Sequence, residues 1–343
     1  MSAGEDIDVA RLAAELEWIV PGFCKLQALE KFGTGQSNPT YLLQAASGRY
    51  VLRTKPPGVL LKSAHQVDRE FRVMKTLNET AVPVPAMLAL SEGENALGRT
   101  YFVMEHLDGR VFWDPALPDC PPQERAAIYD AMNATLAALH SLDPAAVGLS
   151  DFGKPGNYFV RQLKRWSEQY RASETERIPD MDALIEWLEA HLPPDDGVSA
   201  LVHGDYRIDN IMFADDRPEI IAVLDWELST LGHPLADLAY QCMQWRLPYD
   251  SAFRGLGGLD RAALGLSGEE AYVESYCARR GLGDIDHWPF YLAFSFFRLA
   301  AILQGVMKRA IDGNASNPER ARQMGDAVPL LASLALDVTR EAA

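Results

Sequence analysis

A chain of 343 residues, 48 % hydrophobic and 23 % charged, is long enough to bury two separate cores and has the balance of a globular protein, which excludes a disordered one. Its 48 acidic residues outweigh 32 Lys and Arg, and the resulting net charge of −16 argues against a nucleic-acid partner, which needs a basic surface. Four scattered cysteines without CxxC or paired metal-ligand spacing indicate free thiols in a reducing cytoplasm, and the start MSAGEDIDVA lacks the regions of a signal peptide.

In chain order, Ile7, Leu12, Leu16 and Ile19 recur at helical spacing and stop before Pro21-Gly22, which predicts a helix over 7–20. Three strand-like runs follow, QALEKF, PTYLLQAA and RYVLRTK, joined by glycine-containing turns. In the first turn, Gly33 and Gly35 let backbone N–H groups approach an anion closely, while Ser37 and Asn38 add side-chain donors. Arg53 and Lys55 share one face of the third run, because strand side chains alternate. Residues 66–78 read as an amphipathic helix with Val67, Phe71, Met74 and Leu77 in one stripe. Glu70 adjoins that stripe and is placed to face inward and pair with Arg53. VPVPAMLAL and TYFVMEHLDGR complete a five-stranded sheet.

Helical periodicity returns over 123–141, 157–170 and 181–192, and His140 reads as a basic residue closing the first of these. Leu201 and Val202 then lead into His203-Gly204-Asp205, Asn210 follows, and two apolar runs, 211–213 and 220–224, flank a turn at 215–218. With Ala214 paired to Glu219, Asn210 falls opposite Val223 and Asp225 lies two residues further on the same face. Diagonal neighbours lie about 7–8 Å apart, so one Mg²⁺ could touch both. An amide oxygen and one carboxylate suit Mg²⁺, which keeps phosphate and water as its other ligands. Asp205 is left to accept the proton of an attacking hydroxyl, the division of labour that moves a γ-phosphoryl group. Plain turn and cap chemistry is the competing reading, since Asp, Asn and Gly are ordinary loop residues.

Asp237 starts another helix and either caps it or braces the loop at 203–205. A loop is expected over 251–268, then helices over 269–280 and 288–310. The last is apolar enough to suggest a membrane span, yet Arg298 at its centre marks a buried helix instead. An arginine so placed needs an internal carboxylate or a bound anion.

HGDYRIDN, then LDWE, then GHPLADLAY resemble the aminoglycoside phosphotransferase and choline kinase superfamily. FGTGQSNPTYLL, YVLRTKPPG, GNYFVRQLKRW and FRLAAILQGVMKRA resemble more narrowly the kinase-like domain at the N-terminus of acyl-CoA dehydrogenase family proteins and its free-standing bacterial relatives. The resemblance implies an α+β, bilobal, protein-kinase-like fold, with residues 1–107 as the nucleotide-binding lobe and 108–343 as a mainly helical lobe. It implies Mg²⁺ and ATP as cofactors and a small-molecule hydroxyl as acceptor, with neither nucleic acid nor membrane as partner. On that basis Gly33, Gly35, Ser37, Asn38 and Arg53 (Lys55 as the alternate) hold phosphates, Glu70 holds Arg53, and the backbone of Glu105 and Leu107 holds adenine. Asn210 and Asp225 hold the metal, Asp205 is the base, and His203 and Asp237 support it. Asp209, Glu227, Tyr158 and Arg298 are the acceptor-site candidates. The narrower likeness implies a hydroxy acid or hydroxyacyl thioester as acceptor, and the wider one an aminoglycoside or a choline-type amino alcohol. A nucleotide-binding pseudokinase or interaction module is the alternative of another class.

Overall fold

The computed structural model describes residues 7–33, 38–57, 66–251, 253–313 and 317–341. Its elements in chain order are α1 (Val9–Ile19), β1 (Leu26–Lys31), β2 (Thr40–Ala45), β3 (Gly48–Thr54), α2 (Val67–Leu77), β4 (Met87–Ser91), β5 (Tyr101–Glu105), β6 (Arg110–Val111), α3 (Pro122–His140), α4 (Tyr158–Ser173) and α5 (Pro179–Ala190). They continue with β7 (Ala200–Val202), β8 (Ile211–Phe213), β9 (Ile220–Val223), β10 (Thr230–Gly232), α6 (Leu235–Cys242), α7 (Arg261–Leu264), α8 (Glu269–Arg280), α9 (Trp288–Ile311), α10 (Pro318–Gly325) and α11 (Val328–Glu341). Two compact units result. The first takes Met1–Arg110 with Ile211–Asp216 and Ile220–Leu228, and the second takes Val111–Asn210, Arg217–Glu219 and Ser229–Ala343.

The first unit is built on the expected antiparallel five-stranded sheet, in the order β1-β2-β3-β5-β4. Period-two patterning buries Tyr41 and Leu43 of β2 on one face, where Leu12 and Leu16 of α1 complete a core with Leu52, Tyr101 and Val103. Each such side chain contributes about 1.5–3 kcal/mol by leaving water. Asp8 caps α1 by accepting from the Arg11 N–H at 3.0 Å. Along α2, Val67, Val73, Met74 and Leu77 are buried, and Phe71 packs on Phe102 with ring centroids 6.1 Å apart.

A single cut after residue 107 misses the β8–β9 hairpin, which returns to the first unit and donates the Val223 N–H to the Pro83 carbonyl at 2.8 Å. Its register also corrects the expected pairing of Asn210 with Val223. Phe213 pairs with Ile220 as the turn predicts, but a bulge shifts the pairing, so that Met212 meets Ala222 and Ile211, not Asn210, meets Val223. Ile221 is the extra residue absorbed.

The second unit is mainly helical and centred on α9. Of the most apolar stretch of that helix 83 % is buried, in keeping with an interior helix, and α4, α6, α10 and α11 pack against it. The expected loop over 251–268 contains the short α7, capped by Asp260 and ended by Gly265 at φ +75°. Beyond α9, α10 and α11 add a layer for which no expectation was drawn. Val328, Leu331, Ala332, Ala335 and Val338 form its buried stripe. All four cysteines are free, and only Cys24 is exposed.

Candidate active site

In the first unit a guanidinium sits among three carboxylates. Arg53 reaches from β3 to place Nε 2.9 Å from Glu70 Oε2, and Nη2 2.6 Å from Asp225 Oδ1 and 3.7 Å from Glu227 Oε2. Glu70 comes from α2 and is only 2 % exposed. Burial pushes its carboxyl up to about 8, with Arg53 opposing and the neighbouring Asp225 and Glu227 adding to the rise. Burial disfavours the charge on Arg53, but the three carboxylates outweigh it and hold the guanidinium protonated. Glu227 also accepts from Asn38 Nδ2 at 3.0 Å, so this acceptor-site candidate lies beside Arg53. Lys55 turns instead to Asp68, 3.2 Å away. Gly33 and Asn38 bracket the glycine turn, while Gly35 and Ser37 lie outside the described residues. The Glu105 carboxylate accepts from the Ala86 N–H at 2.7 Å, and Leu107 follows β5 half-buried. Asp225 holds φ +63°, a left-handed conformation that costs a non-glycine residue and is characteristic of functional sites.

In the second unit His203-Gly204-Asp205 follows β7, and Asp237 braces it. The Asp237 carboxylate accepts the His203 N–H at 2.6 Å and the Gly204 N–H at 2.8 Å. It does not cap α6, which begins after Pro234 without a side-chain cap. His140 is likewise no helix-end base: its buried ring lies 3.3 Å from Asp237 and 2.7 Å from the Tyr276 hydroxyl, so the turn after β7 and α3 meet on one carboxylate, with α8 holding the far side of the imidazole. Although burial opposes ionisation, His140, His203 and the backbone donors hold the Asp237 carboxyl below its usual range.

His203 Nδ1 accepts the Asp205 N–H at 3.1 Å, which fixes the turn. Asn210 Nδ2 donates to the Asp205 carbonyl at 2.9 Å and to its Oδ2 at 3.0 Å, so the amide oxygen of Asn210 is the end turned away from that carboxylate. Burial alone would raise the Asp205 carboxyl. Arg207, a hydrogen bond from the Tyr240 hydroxyl, His203 and Arg298 bring it below the usual range instead, so it is ionised at neutral pH. Arg298 therefore lies within electrostatic reach of an internal carboxylate, that of Asp205. Its Nη2 donates to the Gly204 carbonyl at 2.8 Å, and the guanidinium lies 5.8 Å from the Trp166 ring and 5.7 Å from the Tyr240 ring.

Beside this loop a cavity of about 420 Å³ is lined by Arg207, Asp209, Tyr240, Gln241, Arg254 and Arg320 among others. Asp209 is 2.5 Å from Arg207, and burial raises its carboxyl against that pull. Tyr158 is not among the lining residues: it packs edge-on to Phe159, and a side chain at Gly232 would collide with it. Tyr240 and His140 were not singled out for this site. Tyr240 was within reach of pattern reasoning, because it stands three positions after Asp237 on one helix and so shares its side.

A family model for phosphotransferase enzymes matches residues 28–272. The chain belongs to the phosphotransferase enzyme family. It is a small-molecule phosphotransferase of kinase-like fold. A candidate aminoglycoside phosphotransferase of known structure from Ralstonia eutropha is 47 % identical to it, with a TM-score of 0.88, over 97 % of this chain and 98 % of the other. Acyl-CoA dehydrogenase family member 10 of Mus musculus is 49 % identical over 312 residues, 90 % of this chain, and the phosphotransferase spans 29 % of the length of that relative. A ternary complex of aminoglycoside phosphotransferase APH(4)-Ia with AMP-PNP and hygromycin B shares its fold at 18 % identity, with a TM-score of 0.59 over 92 % of this chain and 98 % of the other.

Proposed function

We propose that this phosphotransferase moves the γ-phosphoryl group of ATP, with Mg²⁺, to a hydroxyl of a small hydroxy acid or hydroxyacyl thioester. The observation that carries the reading is Asp205: a braced carboxylate held below its usual range beside a cavity whose charged lining is three arginines and one aspartate, with Arg207 paired to that aspartate and Arg254 to Asp114. Polycationic acceptors such as aminoglycosides call for clustered carboxylates, so that lining favours an anionic or neutral acceptor.

Asp205 orients the acceptor hydroxyl and takes its proton as the acceptor oxygen bonds to the γ-phosphorus. The bond from that phosphorus to the β–γ bridging oxygen breaks, and ADP leaves with the bond's electron pair. A base held below its usual range suits such a reaction, which depends mainly on positioning and charge neutralisation. Arg53 faces phosphate in this scheme and Glu70 keeps it extended. Even with Glu70 holding its proton, Asp225 and Glu227 around one guanidinium leave an excess of negative charge that a divalent cation would offset, and the hard oxygens of Asp225 and Asn210 are the proposed metal ligands. Bound there, Mg²⁺ would supply neutralisation of the β- and γ-phosphates.

An ATP-consumption screen of hydroxy acids, amino alcohols and aminoglycosides, with and without Mg²⁺, tests the proposal. Turnover should be confined to the hydroxylated acids and their carbonyl derivatives, should need Mg²⁺, and should vanish in Asp205→Ala. Aminoglycoside turnover, or an active Asp205→Ala, refutes it.

A further inference from the structure

One buried side chain on the cavity wall has no part in the chemistry above. Gln241, the penultimate residue of α6, is 1 % exposed, and neither its amide nitrogen nor its carbonyl oxygen has a hydrogen-bond partner. Buried carboxamides are otherwise provided for. Gln304, 3 % exposed on α9, donates to the Ser173 carbonyl and the Thr175 hydroxyl, and Asn133, 1 % exposed, donates to Tyr272 and accepts from Arg279. Gln241 adjoins Tyr240, whose hydroxyl bonds Asp205, and both line the 420 Å³ cavity. One turn further along the chain, Gln244 lines it too, and its carbonyl oxygen is also buried without a partner. Folding against an unpaired carboxamide is unfavourable unless something completes it.

We propose that Gln241 and Gln244 are acceptor-recognition residues, offering one NH₂ donor and two carbonyl acceptors to a neutral amide or hydroxyl carried by the acceptor besides the hydroxyl that is phosphorylated. A carboxylate at that position would satisfy the NH₂ group and face two carbonyl oxygens with no proton to give them. An amide answers both needs through its C=O and N–H, and a hydroxyl does so with one oxygen. This assignment rests on the proposed function in taking the cavity beside Asp205 as the acceptor site.

Two measurements on Gln241→Met test it. The first is thermal unfolding of the ligand-free protein. Replacing an unpaired buried carboxamide by an apolar group of similar length should raise the midpoint by about 2–4 °C. An unchanged or lowered midpoint would show that the carboxamide is satisfied structurally, and would overturn the assignment. The second compares kcat/KM for 3-hydroxybutanamide, 3,4-dihydroxybutanoate and methyl 3-hydroxybutanoate. The wild type should favour the amide or the diol over the ester by at least about tenfold, since a site built around hydrogen bonds rejects an analogue that lacks them. Gln241→Met should bring the preferred acceptor to within about threefold of the ester, mainly through KM. Preference for the amide identifies an N–H ligand and preference for the diol an O–H ligand, whereas a wild type indifferent among the three overturns the proposal. If the wild type turns over none of them, the reading of the cavity as a hydroxy-acid site fails, and the thermal measurement still decides whether Gln241 is unsatisfied.

Discussion

Arg298 donates to the carbonyl of Gly204 at 2.8 Å, bringing the middle of α9 to the backbone of the catalytic loop. This is the work that a charge in an otherwise apolar helix performs: it fixes the residue before Asp205, with the rings of Trp166 and Tyr240 against its guanidinium. Arg298→Met should lower kcat by about 10–100-fold and leave the KM for ATP nearly unchanged, because misplacing a reacting group by a fraction of an ångström is enough. The carbonyl left unpaired should also lower stability by about 1–3 kcal/mol in urea unfolding.

Asp205 and Asp225 should separate in titration calorimetry. Asp205→Ala should bind AMP-PNP with Mg²⁺ about as tightly as the wild type while turnover is lost. Asp225→Ala should lose the Mg²⁺-dependent part of nucleotide affinity, about tenfold or more. Equal affinity of Asp225→Ala and wild type, with and without the metal, would remove Asp225 from the metal site.

The Glu70 carboxyl, raised from 4.5 to about 8, makes a signed prediction. Between those values the folded chain holds a proton that the unfolded chain has released, so the contribution of Glu70 to stability declines as pH rises from about 4.5 to about 8. Glu70→Gln cannot titrate. Its unfolding free energy, measured by urea at several pH values, should therefore show a shallower decline across that window than the wild type does.

Asp237→Asn tests the brace. A neutral amide offers one acceptor oxygen where the carboxylate offers two, so either the His203 or the Gly204 N–H is left buried and unpaired. Stability should drop by about 2–4 kcal/mol, and the loss should be larger at neutral than at acid pH, because the depressed carboxyl contributes only above its folded value.

Legibility in the sequence followed the range of the pattern. The Arg53–Glu70 pair came from two local periods, alternation along β3 and the apolar stripe of α2, each read within a dozen residues. The hairpin turn at 215–218 also set its nearest pairing, Phe213 with Ile220. The bulge beyond it left no mark, because Ile221 is as good a strand residue as its neighbours and no glycine announces the irregularity. His140 and Arg298 were noticed, but their partners lie 97 and 94 positions away, and no local rule links a helix-end histidine to Asp237 or a buried arginine to one backbone carbonyl. Gln241 was passed over because a glutamine in a helical run is ordinary. Only the fold makes it an unpaired group on a cavity wall.

The return of β8 and β9 to the first unit has a consequence for biosynthesis. The hairpin is encoded after α3, α4, α5 and β7. A ribosome must therefore translate through Leu228 before the N-terminal unit has all its parts, and until then the Pro83 carbonyl lacks the Val223 N–H that receives it. A fragment ending near residue 110 would stay incomplete, so the first unit closes only after much of the second unit's chain has already been made.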